Sequence, residues 1–280
     1  MSQFENKTAF VTGAASGIGL AISRAFAAAG SCVMMTDINA GGLKARADEL
    51  RADFGQLIDY RHVDTTDAAS VNAARDDAIK AFGAVHYLIN NAGVSLAGKP
   101  GNIPLPDWRW IVDINLMGLV HGVESFVPHM AGHGEGGHIV NTASMAGHMA
   151  TAGMAPYHAT KFAAVGYSES LYHELAPLGI GVSVLCPTWV KSNIHNTSDH
   201  RPTAKTGGVN ATKASPFYAQ IKALIENGME PERLADLVLK SINAGRLYIF
   251  NDPEAREAID IRRSLILKDY DACLSDLGMS

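Results

Sequence analysis

The sequence predicts an α/β protein: one domain built on a doubly wound, seven-stranded parallel sheet with helices on both faces. Short runs rich in Val and Ile alternate along the chain with longer runs of helical periodicity. Several short runs are apolar throughout, as expected for strands buried on both faces. The 280 residues, 47% of them hydrophobic, suit one large domain. We therefore interpret residues 1–280 as a single domain.

Seven strands and six helices are predicted in alternation. The strands are TAFVTG (8–13), SCVMMTD (31–37), LIDYRHVD (57–64), HYLINNAG (86–93), GHIVNTAS (137–144), GVSVLCP (181–187) and RLYIFND (246–252). The helices are 17–29, 40–54, 67–82, 107–131, 156–177 and 231–244. This alternation predicts parallel strands joined by helical crossovers.

Two segments lie outside the alternation. Residues 191–228 follow the sixth strand and begin with a run of turn-forming residues up to 215. Because open α/β sheets bind ligands at the carboxyl ends of their strands, we interpret 191–228 as an inserted substrate loop, or lid. Residues 254–280 form a C-terminal extension, helical over 254–277, which either covers the core or reaches a neighbouring subunit.

Bulk composition argues against several classes of function. The formal net charge is −5 without a basic run, so neither nucleic acid nor an anionic membrane is an expected partner. No stretch approaches the ~20 apolar residues of a membrane span, and the amino terminus lacks a signal-peptide pattern. The three cysteines are far apart, which suggests a reduced, cytoplasmic protein without disulfides.

A glycine-rich turn, T-G-A-A-S-G-I-G, follows the first strand and opens the first helix. Glycine permits a tight turn and lets a pyrophosphate approach the backbone, and the helix start offers N–H groups to its charge. The spacing differs from both the G-x-G-x-x-G and the Walker patterns. With a strand before it and a helix after it, the turn predicts a dinucleotide-binding Rossmann fold. The predicted contact residues are Gly13, Ser16, Gly17, Ile18 and Gly19.

Asp37 ends the second strand, 18 residues after Gly19. A carboxylate there accepts hydrogen bonds from the ribose hydroxyls of the adenosine and repels the 2′-phosphate of NADP. Neither Lys nor Arg occurs in the glycine turn, and Ile38 follows Asp37. The predicted cofactor is NAD; the alternative, that Asp37 only caps a turn, is less consistent with its place in the chain.

Tyr157 and Lys161 are four residues apart in a predicted helix and therefore share one face. A free phenol has a pKa of about 10, and a fixed positive charge beside it lowers that pKa. Taken alone, such a pair is more often structural than catalytic.

In combination, these residues resemble the short-chain dehydrogenases/reductases. The resemblance runs from Thr12 to the last strand. The matching segments are T-G-A-A-S-G-I-G at 12–19, Asp64, N-N-A-G at 90–93, Asn115, Ser144 and Y-H-A-T-K at 157–161.

The resemblance implies the catalytic roles. Tyr157 would be the general acid/base, and Lys161 would lower its pKa and bind the ribose of the nicotinamide. Ser144 would donate a hydrogen bond to the substrate oxygen. Asn115 would hold a water that connects Lys161 to solvent.

The resemblance also implies further cofactor contacts. Val63 and Asp64 would contact the adenine, Asn91, Ala92 and Gly93 the adenosine ribose, and Pro187, Val190 and Ser192 the nicotinamide. Thr188 stands where the family usually has glycine, which puts the local backbone in question.

The substrate-facing residues predicted here form a largely apolar wall: Met149, Met154, Thr188 and Trp189. They suggest a roomy pocket for a bulky hydrophobic secondary alcohol, aromatic alcohols included, or its ketone. The runs FVPHM, GGHIVNTAS, VLCP and LYIF look like those of the aryl-ether Cα-alcohol dehydrogenases within the family. The resemblance further implies a homodimer or homotetramer that pairs the helices at 107–131 and 156–177.

Two other functions stay open at this point. One is an NAD(P)H-dependent reductase of carrier-bound or sterol-like ketones, and the other is a non-catalytic NAD sensor or scaffold. No metal site is expected, because His129, His133 and His138 have no acidic or cysteine partner arranged with them. Cys186 is treated as a small hydrophobic residue without a histidine partner.

Overall fold

The computed structural model describes residues 3–204 and 216–279, except the side chain of Phe217. Seven parallel strands form one sheet in the order β3-β2-β1-β4-β5-β6-β7. They are β1 Thr8–Thr12, β2 Cys32–Asp37, β3 Ile58–His62, β4 Tyr87–Asn90, β5 Gly137–Thr142, β6 Ile180–Cys186 and β7 Tyr248–Phe250. The doubly wound parallel sheet predicted from the sequence is confirmed.

The helices cover both faces of the sheet. They are α1 Gly17–Ala28, α2 Ala40–Phe54, α3 Ala68–Phe82, α4 Leu105–Val112, α5 Gly118–His133, α6 Ala155–Leu175, α7 Pro216–Glu226, α8 Pro231–Asn243 and α9 Glu254–Asp276. Side chains alternate along a strand, so Ala9 and Val11 pack beneath α1, α2 and α8, while Phe10 points to the opposite face with α3 and α5. Each predicted helix is present within about two residues at each end.

Two helical features differ from the prediction. The predicted helix at 107–131 is interrupted by a π-turn, Asp113–Met117, between α4 and α5. Helix α7 was not predicted and lies inside the segment interpreted as the substrate loop. The same segment also contains a 3-10 turn, Ile194–His200, where only irregular structure was expected.

The continuous helical run Leu105–His133 corrects one expectation. By length and composition it would be able to cross a membrane, the one such run among the residues described. However, 44% of its most apolar window is buried inside the protein, and Phe126 and Met130 are fully buried against the sheet. A core helix meets the same criterion, and this run packs as one.

The chain reverses its winding between β1 and β4, which are adjacent in the sheet. Strands wind outward from β1 in one direction and from β4 in the other. Ligands of doubly wound sheets bind in the crevice at the carboxyl ends of the strands at such a switch point. The glycine turn after β1 and the N-N-A-G run after β4 both lie there.

Candidate active site

The glycine turn is held against the end of β4 by side chains on both sides. Asn91 Nδ2 donates to the carbonyl oxygens of Thr12 (3.1 Å) and Gly13 (3.3 Å). Thr12 Oγ1 accepts from the backbone N–H groups of Asn91 (2.9 Å) and Ala92 (3.0 Å). The role of Thr12 was missed in the sequence, although a hydroxyl at a strand end beside the turn is a usable signal.

Glycine is required at two positions of this turn for different reasons. Gly13 has φ +67°, in the left-handed region that favours glycine. A Cβ on Gly19 would lie 2.2 Å from the carbonyl oxygen of Gly13. The turn therefore brings backbone close to backbone and opens α1 with the N–H groups that a helix start leaves unpaired. Ser16, the N-cap residue, makes no side-chain capping hydrogen bond and is exposed.

Asp37 makes turn contacts and also lies where a cofactor acid is expected. Its Oδ2 accepts from Ala15 N–H (3.0 Å), and its Oδ1 accepts from Asn39 N–H (2.8 Å). The carboxylate therefore does stabilise a turn, the alternative considered for it. Because Ala15 belongs to the glycine turn, the same bond also ties the acid to that turn.

Val63 and Asp64 follow β3 on the same edge of the sheet. Val63 is buried and donates its N–H to the carbonyl of Asp37 (3.1 Å). Asp64 Oδ1 accepts from the N–H and the hydroxyl of Thr66 (2.9 and 2.7 Å). The structure thus brings this pair beside Asp37.

The Ser144 side chain lies beside Tyr157 and acts on the pKa of its phenol. Ser144 precedes a short 3-10 turn after β5, and its Oγ lies 3.4 Å from the carbonyl oxygen of Pro187. Burial raises the pKa of Tyr157, while the Ser144 side chain lowers it. The net shift is upward, so the lowering of this pKa expected from Lys161 is not observed.

Lys161 is a buried ammonium with a backbone partner. Its Nζ donates to the carbonyl of Thr142 (2.9 Å) and lies 5.6 Å from the ring centroid of Tyr157. Burial lowers the pKa of Lys161 to about 8. A Cβ on Gly93 would lie 3.6 Å from Nζ, so the N-N-A-G run passes directly beside the lysine. Tyr157 and Lys161 therefore do share one helix face, as predicted.

Asn115 lies in the π-turn, and its side chain is almost fully buried. Its Oδ1 accepts from Val94 N–H (2.8 Å), and its Nδ2 donates to the Val94 carbonyl (2.9 Å) and to Thr160 Oγ1 (3.2 Å). A Cβ on Gly93 would also lie 3.4 Å from Oδ1. The wider backbone of a π-turn often occurs at functional sites. Here it turns Asn115 toward the loop after β4 and places it near Lys161.

The segment after β6 lines the other side of the site. Thr188 adopts no strained backbone, and its N–H and hydroxyl both donate to Asn251 Oδ1 (2.9 and 3.0 Å). The doubt raised by the missing glycine is therefore resolved by Asn251, a residue that sequence reasoning missed. Val190 is buried and pairs with Met229.

The remaining predicted residues lie around this centre. Ser192 approaches the glycine turn, since a Cβ on Gly17 would lie 3.2 Å from its Cβ. Met149 and Met154 are half-buried in the loop between β5 and α6, whereas Trp189 is 36% exposed. The buried His158 joins the two ends of that loop, with Nδ1 3.0 Å from the Ala146 carbonyl and Nε2 accepting from Thr151 N–H (3.1 Å).

Two expectations about histidine partners are wrong. Cys186 does have a histidine partner, because His148 Nε2 lies 3.2 Å from its Sγ. Burial raises the pKa of the Cys186 thiol, which keeps it protonated and unreactive.

An acidic partner also exists for His133, one of the three histidines considered in the sequence. His86, His133 and Glu135 have donor atoms within 4.8 Å of one another, although the sequence suggested no such carboxylate. The ring nitrogens have protein partners: His86 Nδ1 accepts from Thr8 N–H (3.2 Å), and His133 Nε2 lies 3.1 Å from the Val85 carbonyl. An accepting Nδ1 leaves the proton on His86 Nε2, which faces Glu135 (3.0 Å). The histidine rings thus hydrogen-bond backbone groups at the starts of strands β1 and β4. Because their nitrogens already have protein partners, the cluster is a poor metal site.

Comparisons with known proteins identify the family of the chain. The family model for short chain dehydrogenases matches residues 7–203. A CLA biosynthesis dehydrogenase/reductase of Lactiplantibacillus plantarum is 35% identical over 275 residues, 96% of each chain. A C alpha-dehydrogenase of Sphingobium sp. strain SYK-6 is 34% identical over 261 residues, which cover 93% of this chain and 85% of the relative.

Among solved structures, a short chain dehydrogenase/reductase from Burkholderia phymatum in complex with NAD superposes with a TM-score of 0.91. It is 34% identical, and the match covers 96% of this chain and 97% of that chain. The chain therefore belongs to the short-chain dehydrogenase/reductase family of oxidoreductases and has its single-domain Rossmann-type fold.

Proposed function

We propose that this protein is an NAD-dependent dehydrogenase that interconverts a bulky hydrophobic secondary alcohol, including aromatic alcohols, and its ketone. The observation that carries the proposal is that two groups lie beside Tyr157: the Ser144 side chain, which lowers its pKa, and the buried Lys161 ammonium, 5.6 Å from its ring centroid. Grouping a hydroxyl, a phenol and an ammonium does not obviously stabilise the fold, because burying an ammonium costs free energy. They suit proton transfer at a substrate oxygen.

NAD as the cofactor is supported by Asp37 and by the glycine turn. The Asp37 carboxylate would face the adenosine ribose and oppose a 2′-phosphate. The start of α1, with Ser16 to Gly19, would hold the pyrophosphate, and Lys161 would hold the nicotinamide ribose with N–H groups not used by Thr142. When bound, the nicotinamide would accept or supply the hydride. The related structure in complex with NAD supports the same choice.

The protein's own residues would then manage the proton. In alcohol oxidation the Tyr157 phenolate oxygen would take the proton of the substrate hydroxyl, while the Ser144 hydroxyl orients that oxygen by a hydrogen bond. Burial raises the pKa of Tyr157, so the phenolate needs positive charge nearby, which Lys161 supplies once its ammonium turns toward the ribose. Asn115 would hold the loop after β4 in place beside Lys161.

The substrate class is supported by the residues around the site and by a relative. Met149, Met154 and the 36% exposed Trp189 provide apolar surface that the core does not use. The relative from Sphingobium is a C alpha-dehydrogenase, in line with the narrower resemblance found in the sequence. The reductase and sensor alternatives have no specific observation in their favour.

The test is reduction of NAD and NADP, followed at 340 nm, with secondary alcohols of increasing size. The wild type is compared with Tyr157→Phe and Ser144→Ala. We expect turnover with NAD, a loss of about 1,000-fold or more in Tyr157→Phe, and a loss of about 100-fold in Ser144→Ala. A Tyr157→Phe variant with unchanged turnover would eliminate the proposed mechanism, and better turnover of small aliphatic alcohols would eliminate the substrate class.

A further inference from the structure

A buried carboxylate in α4 binds the segment 194–204 of the substrate loop. Asp107 Oδ1 accepts from Thr203 N–H (3.1 Å), and its Oδ2 accepts from the Thr203 hydroxyl (2.6 Å). Arg201 Nε lies 3.3 Å from the same Oδ2. The side chains of Asp107 and Arg201 are only 2% and 6% exposed. This deeply buried charge pair holds the segment to α4, and the hydrogen bonds to Thr203 span 96 positions of sequence.

A second set of contacts ties the same segment to the loop after β4. Ser95 donates its N–H to Thr197 Oγ1 (2.9 Å) and its hydroxyl to the Ile194 carbonyl (3.0 Å). Val94, the preceding residue, is bonded through both backbone groups to Asn115. The segment is thus joined, through Ser95 and Val94, to a predicted catalytic residue.

The beginning of the substrate loop is held by a different kind of contact. Lys191 forms an ion pair with Glu230, and these side chains are 43% and 55% exposed. Exposed pairs contribute little to stability because water screens them. Loss of one member of a buried pair leaves an uncompensated charge, which is far more disruptive. Loss of the charge at Asp107 should therefore loosen the loop much more than loss of the charge at Glu230.

We propose that Asp107, Arg201 and Thr203 form a latch that positions the segment 194–204 and so sets the substrate side of the active site. They are positioning residues, which act through the segment and through Ser95. The effect on substrate rests on the proposed dehydrogenase function, whereas the latch itself does not. Loosening it should weaken alcohol binding while leaving NAD binding intact.

Hydrogen exchange followed by mass spectrometry on the full chain tests the latch without activity. Asp107→Asn keeps the shape and one acceptor but removes the charge opposite Arg201. Glu230→Gln makes the same change at the exposed pair and is the matched control. In Asp107→Asn we expect the amides of 194–204 to exchange at least about 10-fold faster than in the wild type. In Glu230→Gln the same amides should exchange within twofold of the wild-type rate. The amides of the core strand 137–142 should exchange at the wild-type rate in both variants. Unchanged exchange in Asp107→Asn, or equal acceleration in the two variants, would overturn the latch.

Steady-state kinetics then test its consequence. With 1-phenylethanol as the alcohol, Asp107→Asn should raise the KM for alcohol about 10-fold and change kcat and the KM for NAD less than threefold. A fall in kcat with an unchanged alcohol KM would overturn the positioning role. If the wild type shows no turnover, the proposed function fails, and the exchange experiment still judges the latch.

Two further variants test the latch in case Asp107→Asn does not fold. Thr203→Val removes the hydroxyl bond to Asp107 without leaving a buried charge unpaired, and should accelerate exchange in 194–204 about threefold. The double variant Asp107→Leu with Arg201→Met replaces the pair by apolar side chains of similar size. It should fold and still raise the alcohol KM, since the bonds to Thr203 are lost. A wild-type KM and wild-type exchange in both variants would overturn the proposal.

Discussion

At the scale of single residues, burial shifts the pKa of both members of the candidate catalytic pair, Tyr157 and Lys161. Burial lowers the pKa of Lys161 to about 8 and raises that of Tyr157. Both shifts favour the uncharged form, although a pKa of about 8 leaves the Lys161 amine charged at neutral pH. Perturbed pKa values of this kind concentrate at functional sites. The protein accepts a local cost to stability in order to keep an ammonium beside a phenol.

Lys161→Met should therefore abolish turnover without destabilising the protein. A lysine whose folded pKa is lowered from 10.5 to about 8 disfavours the folded state below pH 8, and the penalty is relieved as pH rises from 8 to 10.5. At pH 7 the variant, which lacks this penalty, should have a free energy of unfolding equal to or above that of the wild type in urea titrations. A decrease larger than about 1 kcal/mol, the net value of a typical hydrogen bond, would show that the bond to Thr142 outweighs the penalty.

Asp37→Asn should relax the choice between NAD and NADP. The amide retains an acceptor for the N–H of Ala15 or Asn39, while the charge that opposes a 2′-phosphate is lost. Because like charges in contact cost several kcal/mol, the ratio of kcat/KM for NAD over NADP should fall about 10-fold or more. Asp53→Asn, which alters an exposed ion pair with Arg24, is the control and should leave the ratio unchanged. A wild type that prefers NADP would contradict the role given to Asp37.

At the scale of elements, histidines complete the amino-terminal ends of the central strands. His86 Nδ1 accepts from Thr8 N–H at the start of β1, and His129 Nε2 accepts from Val85 N–H just before β4 (3.0 Å). Burial lowers the pKa of both rings, and Lys7 lowers that of His86 further while Glu135 raises it. The pKa of His129 is lowered further, to a smaller extent, by His133 and Arg75, and it is raised by Asp76. A protonated ring nitrogen cannot accept, so these bonds exist only with neutral histidine.

The fold should therefore lose stability in mild acid. A histidine with a lowered folded pKa contributes stability above the unfolded value of 6.5, and this is lost as pH falls below 6.5. Tm measured by circular dichroism should fall by a few degrees between pH 7 and pH 5. In His129→Leu the fall should be smaller, whereas His62→Gln, at an exposed ring, should follow the wild type. Parallel profiles for all three proteins would contradict this role of His129.

At the scale of the whole molecule, the C-terminal helix stands apart from the core. Helix α9 has one fully buried residue, Ala255, and its best-defined side contact is Arg262 over the ring of Phe162 (5.0 Å). Ile261, Leu265 and Tyr270 are more than half exposed. The extension therefore covers little of the core of its own subunit. Apolar surface of this extent is a common mark of a protein interface.

We accordingly expect a homodimer or homotetramer. Light scattering coupled to size-exclusion chromatography, over a dilution series down to micromolar concentration, should give two or four times the mass of 29.7 kDa. Removal of residues 254–280 tests whether α9 takes part and should lower the order of assembly. A full-length monomer throughout the series would contradict the expectation.

The sequence by itself determined the sheet and the helices with strong periodicity, because their signals are local. Alternating apolar runs define strands, and a glycine turn between a strand and a helix predicts a phosphate site wherever it occurs. Tyr157 and Lys161 are likewise a local pair, since spacing along one helix decides which residues share a face. The carboxyl ends of parallel strands then bring these separate motifs to one edge.

Only the tertiary structure decided which distant side chains meet. The pairs Asp107–Arg201, Thr188–Asn251 and His148–Cys186 join positions that no sequence period relates. The π-turn at Asn115 escaped prediction for the same reason, because its backbone is set by packing more than by propensity. Contacts across tens of residues depend on how the elements fold together, and a linear pattern carries no record of them.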